Sequence, residues 1–137
     1  MLEELIIRTL CDTLPEEPAD ALFLFGQTED NQESVFAKER QYRRVIVTAS
    51  PFQQPRAYMA AVTAALRSYP ELYIYSLPGK ALPWKEEVVH SQGKVQDARA
   101  GLIAGEMERI RKYHAIGDMV SVDKVIAYLN RRDLEKL

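Results

Sequence analysis

Three polar segments follow short apolar runs in this chain, and each carries side chains suited to holding an anion. The richest is Thr48-Ala-Ser-Pro-Phe-Gln-Gln-Pro-Arg56. Thr48 and Ser50 offer hydroxyls, Gln53 and Gln54 offer amides, and Arg56 is a permanent forked cation just inside a helix start marked by Pro55. Together they suit a phosphate or a carboxylate. The same residues admit a plainer reading, in which Ser50-Pro51 is only a turn, Gln53 is solvated and Arg56 pairs with a surface carboxylate. The other two segments are Gly26-Gln-Thr-Glu-Asp-Asn31, with Gly26, Gln27 and Asn31 as candidate ligand contacts, and Ser76-Leu-Pro-Gly-Lys80. Gly26 belongs to neither a dinucleotide fingerprint nor a phosphate-loop signature, because the required glycine spacing and Gly-Lys-Ser/Thr ending are absent.

The remaining reactive residue types are weaker candidates. Glu29, Asp30 and Glu33 could hold a hard cation, but carboxylates at a helix start usually serve the cap and the dipole. His90 and His114 have no carboxylate or cysteine at ligand spacing, so no metal site is expected; His114, with Lys112, suits charge compensation at a helix C-terminus. Cys11 is the only cysteine, which excludes an internal disulfide, and its place beside Ile7 and Leu10 predicts a buried helix residue. Arg109, Arg111, Lys112, Arg131 and Arg132 read as solvated helix faces, with a partner surface as the alternative. Trp84 reads as buried against the sheet or, failing that, stacked on a ligand.

Elements that would position these groups follow from periodicity. At 137 residues, 47% hydrophobic and 28% charged, the chain suits one globular domain over 1–137. Residues 2 to 12 pattern as an amphipathic helix ended by Pro15 and Pro18. Ala21-Leu-Phe-Leu-Phe25 is a continuous apolar run, predicting a strand buried on both faces. A helix over about 31 to 42, capped by Asp30, has a thin apolar face of Val35, Phe36 and Tyr42. Val45-Ile-Val-Thr48 and Leu72-Tyr-Ile-Tyr75 are further strands, and Tyr58, Val62, Ala65, Leu66 and Tyr69 trace the helix between them. The alternation predicts an α/β, three-layer Rossmann-like fold with a short, mainly parallel sheet of about three strands flanked by helices. Residues 77 to 95, with Pro78, Gly79, Pro83, Trp84 and Gly93, form a long connection and a candidate lid. Two helices close the chain, one through Leu102, Ile103, Met107, Ile110 and Tyr113, the other capped by Ser121.

The segment Val45-Ile-Val-Thr-Ala-Ser-Pro-Phe-Gln-Gln-Pro-Arg-Ala-Tyr-Met59 resembles the SanA/YdcF/ElyC-like family, a widespread bacterial domain of poorly defined function. Thr48, Ser50, Pro51, Phe52, Arg56 and Ala57 match that family's strand, turn and helix opening. Asp20-Ala-Leu-Phe-Leu-Phe-Gly26 looks like its first strand and glycine turn, and Gly105-Glu-Met-Glu-Arg-Ile-Arg-Lys-Tyr113 with Gly117 is similar to a late helix and turn. The resemblance spans about two-thirds of the chain. Gln53 stands where many members carry His, and an amide cannot act as a general base. Only about 18 residues separate Gly26 from Val45, where members place a further strand-helix unit, so the resemblance implies a shortened variant in which residues 27 to 42 join the remnants.

Function is therefore expected to be binding of a small anionic or nucleotide-like ligand at the carboxyl edge of a parallel sheet, through Gly26, Gln27, Asn31, Thr48, Ser50, Gln53 and Arg56. The alternative is a non-catalytic binding or homo-oligomeric assembly module that has lost the family's site. Neither a reaction nor a cofactor is indicated. The net charge of -2 argues against nucleic acid, and no apolar stretch approaches the roughly 20 residues of a membrane span, so a cytoplasmic protein is expected.

Overall fold

The computed structural model of the protein describes residues 2–24, 32–79, 87–89 and 96–135. Three strands, β1 (Ala21–Leu24), β2 (Arg44–Thr48) and β3 (Tyr73–Ser76), run parallel in the order β1-β2-β3. Helices α2 (Gln32–Glu39) and α3 (Gln54–Ser68) make the two crossovers, and α1 (Leu2–Leu10), α4 (Arg99–Ala115) and α5 (Val122–Glu135) complete an α/β fold. α2 and α3 pack against each other, so both crossovers run over the same face of the sheet, as consecutive crossovers of one hand in one direction require. Every other helix packs against α3.

Register explains the core. Val45 lies between Ala21 and Ile74, and Val47 between Phe23 and Ser76. Val45, Val47 and Ile74 join Tyr58, Met59, Val62 and Ala65 of α3, each worth about 1.5–3 kcal/mol if it is a large apolar group fully withdrawn from water. The opposite face carries Leu22, Ile46 and Tyr75. Here the expectation for β1 is corrected. Its burial alternates, with Leu22 56% and Leu24 52% exposed, because β1 is an edge strand covered on one face only.

Helix ends follow local chemistry. Pro55 occupies the first turn of α3, and Ser121 caps α5 by accepting from Lys124 N at its hydroxyl, 3.3 Å away. In α2, Gln41 N donates to Lys38 O at 3.1 Å and Tyr42 N to Ala37 O at 2.9 Å, while Gln41 adopts φ 59°. This is the double bond of a Schellman end, with glutamine where glycine is usual. The α4 end repeats it with Gly117 at φ 86°, Gly117 N donating to His114 O and Asp118 N to Tyr113 O. Gln41→Gly is expected to stabilise the protein by about 0.5–1 kcal/mol and Gly117→Ala to destabilise it by a similar amount, measured by urea unfolding. An added Cβ at Gly117 would meet nothing within 4 Å, so backbone conformation alone sets that cost.

Two further expectations change. Cys11 lies past the end of α1 with an exposed thiol, because the buried stripe runs through Leu5 and Thr9 and turns away from it. The long connection is not structureless: β4 (Glu87–Val89) and β5 (Gln96–Ala98) pair antiparallel, Val88 opposite Asp97. Trp84 and His90 lie outside the described residues, as do residues 80–86 and 90–95 of the candidate lid. Among the described residues no helix is long and apolar enough to cross a membrane.

The outer edge of β3 is sealed by side chains. Tyr128 Oη donates to Leu72 O and accepts from Ile74 N at 2.8 Å. Arg132 Nη1 donates to Ile74 O at 2.7 Å, and Asp12 Oδ2 accepts from Ser76 N at 2.9 Å. Arg132, read from sequence as solvated, is 1% exposed. It grips both oxygens of Asp12, at 2.8 and 2.7 Å, and lies 4.5 Å from the Tyr75 ring centroid. Burial is the largest single influence and pulls the guanidinium pKa down, but the hydrogen bonds and charges of Asp12 and Asp133, with the other polar groups around it, together outweigh that and the net shift is upward. Burial likewise raises the phenols of Tyr58 and Tyr128, keeping both neutral as hydrogen-bond donors.

Candidate functional site

β2 ends at Thr48, and the chain turns through residues 51 to 53 into α3. Ser50 O closes this turn by accepting from Gln53 N at 2.8 Å and Gln54 N at 3.0 Å. The N-cap, Gln53, makes no side-chain capping bond. Because Pro55 has no N–H to satisfy, the first turn needs less capping than usual.

A second fixture holds the turn to β3. Gln54, fully buried, donates through Nε2 to Val47 O at 2.9 Å and to Ser76 Oγ at 2.6 Å. Its Oε1 has no hydrogen-bond partner. The backbone beyond β3 follows the turn, with Leu77 N donating to Val47 O at 3.1 Å and Gly79 N to Ala49 O at 2.7 Å. A Cβ at Gly79 would stand 3.1 Å from Ala49 O, so this approach favours glycine.

The predicted contacts fall into distinct environments. Ser50 is exposed and Thr48 half-buried, whereas Gln53 and Arg56 are buried. Arg56 Nε donates to Glu106 Oε2 and Nη2 to Glu106 Oε1 at 3.5 Å. Glu106 comes from α4, is completely buried, and has Arg109 Nη1 3.6 Å from Oε1. The forked cation that the sequence offers to an anion thus has an internal carboxylate. That partner is neither on the surface nor near in sequence.

Gly26, Gln27 and Asn31 lie outside the described residues, as do Glu29, Asp30 and Lys80. Glu33 belongs to α2. His114 Nδ1 sits 3.1 Å from Met119 O at the end of α4. Among the described residues no group of three or more His, Cys, Asp or Glu side chains is arranged to hold a metal.

Residue type alone does not assign Glu106 to this region, but its position on the helix carries a signal. It lies four residues after Leu102 and four before Ile110, on the apolar face of its own helix, where a carboxylate requires a partner. Gln54 carried no comparable signal, since its inward orientation depends on the β2–β3 pairing. Comparison with protein-family models, curated proteins and solved structures finds no match to this chain.

Proposed function

We propose that the protein is a cytoplasmic ligand-binding α/β domain that holds a small anionic or nucleotide-like molecule at the carboxyl edge of its sheet, by binding rather than turnover. The observation that carries this reading is the exposed Ser50 in a braced turn at the start of a 15-residue helix with no acidic residue in its first turn. Carboxyl edges of parallel strands, with helix N-termini pointing at them, are favourable places for anions. The likeness of Thr48 to Ala57 to the SanA/YdcF/ElyC-like family supports the same location. Gln53 supports binding over proton transfer.

Titration with nucleoside mono-, di- and triphosphates and with inorganic phosphate tests this. A ligand at about 100 times its Kd should add roughly 2.7 kcal/mol to stability. Ser50→Asp should weaken binding about tenfold or more through charge repulsion, with little effect on the unliganded protein. The absence of any stabilisation of the parent protein by the whole panel sinks the proposal.

A second reading, an assembly module without a ligand site, is favoured by two observations: the internal Arg56–Glu106 pair and the exposed Leu22 and Leu24 of edge strand β1. Light scattering separates the two, since a strict monomer argues against assembly.

A further inference from the structure

Away from the sheet edge, the C-terminal half of α3 and the helix α5 border an open groove of about 570 Å³. That volume is within the range of pockets for small organic ligands. Leu66, Val120 and Ala127 supply an apolar lining, and the Tyr128 side chain adds an aromatic surface. All the charged lining residues, Arg67, Lys124 and Arg131, are positive, in a chain whose net charge is -2.

These cations are oriented mainly by neutral groups. Arg67 Nη2 donates to Gly117 O at 2.7 Å and Nη1 to Asp118 O at 3.4 Å. Arg131 Nη2 donates to Pro70 O at 2.7 Å, and its guanidinium lies 5.2 Å from the Tyr128 ring centroid. Carbonyl oxygens fix a guanidinium in place and leave its charge intact. Glu135 lies 3.8 Å from Arg131, but among the described residues no carboxylate pairs with Arg67 or Lys124. Lys124 also stands in the first turn of α5, where the helix dipole disfavours a cation and favours the neighbouring Asp123. An anion between Lys124 and Arg67 would relieve that repulsion, and an attached apolar body would cover Leu66, Val120 and Ala127.

We propose that this groove is a second binding site, selective for an organic anion with an apolar body, such as an aryl or short alkyl carboxylate or phosphate ester. It shares no residue with the Ser50 turn, so the two proposals stand or fall separately.

The test is an NMR titration of the full chain with phenyl phosphate, octanoate, inorganic phosphate and benzyl alcohol. Saturable shifts at Val120, Lys124 and Ala127 are expected with phenyl phosphate, octanoate or both, and the stronger of the two identifies the preferred headgroup. Lys124→Glu should weaken binding about tenfold or more, and raising salt should weaken it further. Ala127→Trp should block binding by filling the apolar side without changing the charge, and both positions are exposed, so the fold should tolerate both variants. Ser50→Asp should leave groove binding unchanged. Equal binding of inorganic phosphate or of benzyl alcohol, indifference to Lys124→Glu, or loss of binding on Ser50→Asp would each overturn the proposal.

Discussion

Replacing Arg132 with alanine is expected to cost about 3–5 kcal/mol of folding stability, the loss typical of removing one partner from a buried ion pair. Arg132 is the clasp between three parts of the chain: it holds Asp12 after α1, Ile74 O on β3 and Asp133 on its own helix. Alanine would leave the Asp12 carboxylate, 7% exposed, with Ser76 N but without its cation. It would also remove one donor from the free edge of β3. For a chain of this size the midpoint of thermal unfolding should fall by roughly 10–20 °C. Arg132→Lys should be intermediate, because an ammonium cannot reproduce a two-pronged grip on Asp12. Replacing both partners, Arg132→Met with Asp12→Leu, should recover much of the loss. Urea unfolding measures all three, and an Arg132→Ala protein within about 1 kcal/mol of the parent would refute the clasp.

Glu106→Ala should be nearly as damaging, at about 3–4 kcal/mol, because it removes the buried carboxylate that Arg56 grips and leaves Arg56 and Arg109 to share that space. Glu106→Gln keeps an acceptor oxygen and should lose about half as much. The double-mutant cycle with Arg56→Ala should show a coupling of about 1–3 kcal/mol, and additive losses would mean that the pair contributes little as a pair. This pairing also changes how the sheet edge can be probed. A loss of binding in Arg56→Ala would be confounded with unfolding, whereas Ser50 is exposed and separates recognition from stability.

Local order was largely legible in the sequence. Val45 to Thr48 is a β-branched run that becomes β2, Pro55 marks the first turn of α3, Ser121 caps α5, and Gly117 ends α4. Each depends on interactions within a few residues, where residue type and spacing carry the information. The alternation of such elements also implied the parallel three-stranded sheet, because parallel strands need crossovers of helical length.

What escaped the sequence depends on neighbours remote in the chain. Leu22 and Leu24 have the character of buried strand residues, but only the order of strands makes β1 an edge with an open face. Arg56 meets Glu106 across 50 residues, and Arg132 meets Asp12 across 120. A charged side chain looks the same in sequence whether it ends in water or in an ion pair. Both Glu106 and Arg132 do lie on the apolar face of their helices, so helical spacing alone indicates that each needs a partner. Which partner each receives, and therefore whether the cation beside the Ser50 turn faces a ligand or a carboxylate of its own chain, was decided by the packing of α4 and α5 against α3 and β3.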